Sequence, residues 1–380
     1  MSLNRRARWA VPGTVVVVTA AVIAALQIPA AQAAPDLPGR TPAQLLASLS
    51  SDAPNGGVSV PPLTGTVVET AALGLPQLPE TGNANSLTSL LTGSHTMKVY
   101  YQDGSHFRLA IPQPASETDL IADGSKLWLW QSSADSVTEF TPEGAKKAMV
   151  TPDASPPTPQ QAANEILAAV GNTTLVSVQA NVMVAGQPCY ELVLAPKDSR
   201  SLVGRVVIAI DGKYGVPLRV QLYAKGTASP AFQVGFTDLQ FVAPSPANFS
   251  FTPPPGASVT VEKPGSAEHG KQDTSGFGSY GAGWLTVAAF PEKDLEQGVG
   301  TGAADSAKQP DIVSAGSQGV GVSSQELLNA LFGSGKTVHG SWGSGTLVTT
   351  SLLSMLVTNG EVYVGAVKPS VLEAAVGHTS

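Results

Sequence analysis

The chain has 380 residues, a net charge of −7 and only 13% charged residues, and no cluster of Lys or Arg follows its first residues, which argues against a nucleic-acid partner. Its single cysteine, Cys189, cannot make an internal disulfide, so stability must come from a hydrophobic core, for which the chain is long enough. The 39 Gly and 30 Pro residues suit many turns and linkers better than a helical bundle.

Arg5, Arg6 and Arg8 precede an apolar stretch from Val15 to Ile28, and Ala31-Gln32-Ala33 then offers small residues where a signal peptidase reads. Residues 1–33 therefore read as an export signal cleaved after Ala33, which places the protein outside the cytoplasm, secreted or in the cell envelope. The alternative is an uncleaved membrane anchor, because Trp9 to Ile28 is roughly long enough to span a bilayer. No cysteine stands directly after the apolar stretch, which excludes lipid attachment of the bacterial lipoprotein kind.

Pro35 to Gly39 and Ser50 to Pro62 are rich in Pro, Gly and Ser, and between them Pro42 to Leu49 reads as a short helix on mobile tethers. A strand at Leu63 to Thr70 and a helical turn at Ser86 to Leu91 come next. From Met97 to Phe251 the chain is a ladder of short strands in period-two alternation. Met97, Val99 and Tyr101 share one face, as do Phe107, Leu109 and Ile111, with Asp103-Gly104 as a hairpin signal between them. Asp123-Gly124 and Asp211-Gly212 repeat that signal. Leu127-Trp128-Leu129-Trp130 and Val206 to Ile210 are apolar on both alternating faces, so both sides of a mostly antiparallel sheet need a cover. The ladder is broken once, by a helix at Pro159 to Val170 with Thr158 as N-cap, Gly171 as stop, and an apolar stripe that includes Ile166, Leu167 and Val170. Cys189 lies in a strand with Tyr190, Leu192 and Leu194, as a buried thiol.

Phe249-Ser250-Phe251 and Pro253-Pro254-Pro255-Gly256 end the ladder. The domain reading is a main domain over 41–262, a polar, glycine-rich linker over 263–283 and a small α+β appendage over 284–376. The appendage holds a strand at Trp284 to Phe290, a disordered insertion at 298–321, a helix at Ser324 to Phe332, strands at Thr346 to Val357 and Glu361 to Ala366 joined across Asn359-Gly360, and a helix at Pro369 to Ala375. It reads either as independent or as docked on the main sheet.

Catalytic motifs fail on context. Gly333-Ser334-Gly335-Lys336-Thr337 ends like a P-loop, but Ala330 stands where the first glycine is needed and the preceding segment is helical, so it reads as a helix stop and a loop. His339-Gly340-Ser341-Trp342-Gly343 lacks the Gly-x-Ser-x-Gly of a nucleophile elbow. His95, His106, His269, His339 and His378 show no metal-ligand spacing and no base beside them, and read as surface or turn residues. Glu117 and Asp119 share a strand face, which suits a solvated face better than an ion site. Catalytic residues, metal ligands and cofactors are not assigned, and an envelope hydrolase is the disfavoured reading. Aromatic residues concentrate in the ladder, where a set of large apolar side chains on a concave face is either plain core or the lining of a lipid site.

The order of elements resembles the LolA/LolB lipoprotein-carrier superfamily, and especially its RseB/MucB-like branch, over about Thr41 to Glu262. Ile121-Ala122-Asp123-Gly124-Ser125-Lys126-Leu127-Trp128, Gly215-Val216-Pro217-Leu218-Arg219-Val220 and the Phe-x-Phe-x-Pro-Pro ending carry the likeness. The resemblance implies an α+β fold, a half-open antiparallel β-barrel with a helical lid. It implies binding of lipid or lipoprotein acyl chains, as a carrier or an envelope-stress sensor. The family's lid-coupling arginine has no counterpart here. The expected lining is Val99, Tyr101, Phe107, Leu109, Leu129, Leu192, Ile208, Val220, Leu222 and Phe236, and the expected lid is Leu45, Leu46, Leu49, Ile166, Leu167 and Val170. The alternative is a solid-core interaction module that regulates a membrane-anchored, anti-sigma-like partner without a lipid.

Overall fold

The computed structural model describes residues 35–49, 60–74, 92–124, 126–140, 172–262, 278–292, 332–333 and 335–376. The leader, the expected helical turn at Ser86 to Leu91, the expected helix at Pro159 to Val170 with Ile166, Leu167 and Val170, the expected insertion at 298–321 and the expected helix from Ser324 lie outside these residues, apart from Phe332. All described residues belong to one compact unit, Ala34–Ser380.

Helix α1 (Pro42–Leu49) opens that unit. Six strands follow: β1 (Leu63–Ala72), β2 (Thr92–Asp103), β3 (His106–Pro112), β4 (Glu117–Asp123), β5 (Lys126–Gln131) and β6 (Ser136–Phe140). Further along come β7 (Thr174–Val184), β8 (Gln187–Pro196), β9 (Val203–Asp211), β10 (Pro217–Ala224), β11 (Phe232–Gln240) and β12 (Ser258–Glu262). These twelve form one open sheet in the order β12-β6-β5-β4-β3-β2-β1-β11-β10-β9-β8-β7. Every pairing is antiparallel except that of β12 with β6, which is parallel. Three strands separate β7 from β11, a span of about 19 Å in a flat sheet. Their Cα atoms nevertheless come within 8 Å, so this half of the sheet is strongly curled. Among the described residues it does not close into a barrel, because β12 and β7 remain its two edges.

The chain supplies the curl and its covers from identifiable residues. A β-bulge in β11 opposite Thr66 and Val67 bends the sheet at its middle. Gly65 beside it gives up its Cβ space to the Phe236 ring and the Asp238 carbonyl, which would stand 2.8 and 2.7 Å from any added carbon. Pro35 to Gly39, expected as a mobile tether, is instead fixed: the Tyr190 hydroxyl donates to the Pro38 carbonyl at 2.7 Å, Asn181 Nδ2 donates to the Pro35 carbonyl at 3.1 Å, and Leu37 packs on Gly212. Thr41 and Gln44 then form a capping box, Thr41 N–H donating to Gln44 Oε1 and Gln44 N–H to Thr41 Oγ1.

The second sheet has the order β13-β14-β18-β17-β16-β15 and is antiparallel throughout, with β13 (Gly278–Tyr280), β14 (Val287–Pro291), β15 (Lys336–Gly340), β16 (Gly343–Thr349), β17 (Ser354–Thr358) and β18 (Glu361–Gly365). Helix α2 (Pro369–Val376) buries Leu372, Ala375 and Val376 against it. Three expectations change here. The last residues of the expected linker form β13. Lys336 and Thr337, expected in a loop, start β15. The single strand expected over Thr346 to Val357 is a hairpin, because Thr350 Oγ1 accepts the N–H groups of Leu352 and Leu353 and turns the chain. The turn at Asn359-Gly360 stands as expected, with φ of 54° and 74°.

Candidate functional site

The register brings together all ten residues expected to line a ligand site. Val99 pairs with Leu109, Leu109 with Leu120 and Leu120 with Leu129, while Tyr101 pairs with Phe107. On the other side Val67 joins Met97 to Phe236, and Val234, Val220, Ile208 and Leu192 follow one another across β11, β10, β9 and β8. Leu222 pairs with Phe232 and Val206 in the same parity. One face of the curled sheet, its inner face, therefore carries the whole set.

Burial divides this face. Leu192, Ile208 and Val220 are sealed in the main core with Leu194, Val206, Ile210 and Val234, where Leu45 and Leu49 of α1 also bury their side chains. Leu46 packs against the same cluster, so α1 sits in the core beside β7. In this arrangement α1 is a seated helix. Val99, Tyr101, Phe107, Leu109, Leu129, Leu222 and Phe236 are only half-buried. Leu109 links the main core to a smaller cluster of Leu120, Ala122 and Leu127 with Phe107 and Phe140, which continues the apolar face towards β6.

The opposite face is covered differently. Ile121, Trp128 and Val137 are buried there, and Phe251, in the segment after the ladder, lies with its ring centroid 5.8 Å from Trp128 and 6.4 Å from Trp130. The second cover that Leu127 to Trp130 needs is thus the chain's own Phe-x-Phe ending. Val193 and Val207 pack with Tyr223, whose ring is stacked by Arg205 at 3.8 Å. Asp119, expected on a solvated face, is 2% exposed. Its carboxylate accepts from Arg108 Nη2, and burial pushes it up to about 6 against the opposing pull of Arg108.

The turn aspartates behave as turn chemistry requires. Asp103 Oδ1 accepts the N–H groups of Ser105 and His106, and Asp211 Oδ1 that of Lys213. Cys189 is fully buried and desolvation pushes its thiol up to about 12. His95, read as unpaired, proves to be paired: its Nδ1 lies 2.8 Å from Oε2 of the buried Glu69. The sequence signal for Glu69 was its place in the inner parity of β1, two residues after Val67. Among the described residues, no cluster of three or more His, Cys, Asp or Glu side chains could hold a metal ion, and no helix is long and apolar enough to cross a membrane.

No family model matches the chain, and no curated protein matches it. Solved structures do show likeness. The Pseudomonas aeruginosa MucA/MucB complex matches with a TM-score of 0.39 and 12% identity, over 88% of this chain and 95% of that one. A crystal structure of MucB matches with a TM-score of 0.37 and 15% identity, over 88% and 95%. A LolA superfamily protein from Nitrosomonas europaea matches with a TM-score of 0.20 and 10% identity, over 56% and 99%. The chain is similar to MucB and LolA-type structures, the two groups its sequence motifs resemble. Similarity at this level leaves function to the chain's own geometry.

Proposed function

We propose that this is an exported, non-enzymatic protein that binds lipid or lipoprotein acyl chains on the inner face of its twelve-stranded sheet. One observation carries the reading: the register gathers Val99, Tyr101, Phe107, Leu109, Leu129, Leu222 and Phe236 on a single face, and all seven remain half-buried beside a sealed core. Large apolar side chains in that state have free energy still to gain from further cover. An acyl chain laid along them gains about 0.8 kcal/mol for each CH₂ removed from water. Binding is passive, with α1 holding one side of the face and the half-buried strands β2 to β5 receiving the chain.

Native mass spectrometry with lipid extraction, on the full chain expressed with its leader and purified without detergent, tests this. Near-stoichiometric acyl lipid is the expected result. A ligand-free protein that also fails to take up a fluorescent fatty acid would sink the reading and favour the interaction module.

A further inference from the structure

Glu69 stands on the inner face of β1 between Val67 and Ala71 and is 1% exposed. Its neighbours in register are His95 on β2 and Val234 on β11, and Val67, Met97 and Val234 around it are all 0% exposed. Oε2 is satisfied by His95, but Oε1 is buried with no hydrogen-bond partner. A buried acceptor left without a donor is costly, and a position that needed only packing would take Val or Leu, as position 67 does. Burial holds the Glu69 carboxyl above its usual range, against the opposing pull of His95, as expected for an acid in an apolar setting that lacks its full set of donors.

We propose that Glu69 Oε1 accepts a hydrogen bond from the head of the bound lipid, so that the site selects acyl lipids with an uncharged O–H or N–H donor, of the monoacylglycerol or N-acyl amide kind, over free fatty acids. This rests on the acyl-binding reading above. Charge balance selects the class. Burial favours a Glu69–His95 pair without net charge, its shared proton lying between Oε2 and Nδ1, so that Oε1 is left as an acceptor. A neutral donor completes such a pair. A fatty-acid carboxylate instead sets one acceptor against another.

The test is competition against a fluorescent acyl probe bound to the full chain, with monooleoylglycerol and oleate as competitors. Wild-type protein should prefer monooleoylglycerol by about tenfold or more, and Glu69→Leu should bring the two within about twofold of each other. Glu69→Gln keeps the shape, can donate as well as accept, and should strengthen oleate binding while leaving monooleoylglycerol nearly unchanged. It also serves if Glu69→Leu does not fold. Equal affinities in wild type, or an unchanged preference in both variants, overturn the role of Glu69 while acyl binding stands. Displacement by neither lipid overturns acyl binding itself, and this inference with it.

Discussion

At the scale of single residues, the two buried acids Glu69 and Asp119 lie on opposite faces of the same sheet and meet burial in different ways. Each leaves one oxygen buried without a partner, but Glu69 faces the apolar inner side and pairs with His95, whereas Asp119 pairs with Arg108 on the outer side, with Glu117 nearby raising its pKa further. Asp119 is raised from 3.8 to about 6, so the folded state binds its proton more tightly than the unfolded chain does. Its contribution to stability is fully present below about pH 4 and is lost as pH rises to 6. The expected outcome for Asp119→Asn is therefore a stability difference, variant minus wild type, that grows in the variant's favour between pH 4 and pH 6. Urea unfolding at several pH values reads it, and a difference that stays flat across that window would show that Arg108 fully offsets the burial.

At the scale of elements, period-two alternation was the legible part. Strands with an apolar face could be placed from sequence, whereas the side of each strand that looks inward was a choice that parity within one strand leaves open. What alternation cannot supply is register between strands far apart in sequence, which is why the Glu69–His95 pair, 26 residues apart, escaped notice. Nor does alternation reveal a turn made by a hydroxyl, and Thr350 accordingly hid the hairpin between β16 and β17. The outer cover was legible as a motif but not as a contact, because Phe251 reaches Trp128 and Trp130 only once β12 pairs with β6 in parallel. Phe251→Ala should cost about 1–3 kcal/mol, since the ring is half-buried, and should shift tryptophan emission to the red as Trp128 and Trp130 gain water. Unchanged emission together with unchanged stability would mean that the neighbouring Ala257 and the β12 segment suffice as cover.

At the scale of the whole molecule, the second sheet is joined to the first by backbone as well as by side chains. Leu202 N–H donates to the Ala366 carbonyl and Lys368 N–H to the Arg200 carbonyl, each at 2.8 Å, and Ser201 and Val367 form an antiparallel bridge. Trp284 Nε1 donates to Thr174 Oγ1 at 2.7 Å across the same junction. At a second point the turn between β16 and β17 places Leu352, 3% exposed, in the core cluster that also contains Leu73, Val67 and Met97. A side chain from one sheet buried in the core of the other couples their unfolding, since neither can open without exposing apolar surface that both have removed from water. Leu352→Ala should therefore lower the stability of the protein by about 2–5 kcal/mol and do so for both sheets together, as one displaced transition in calorimetry. Two separated transitions in the variant, with only the smaller one shifted, would show instead that the second sheet is held by its backbone junction alone and folds as its own unit.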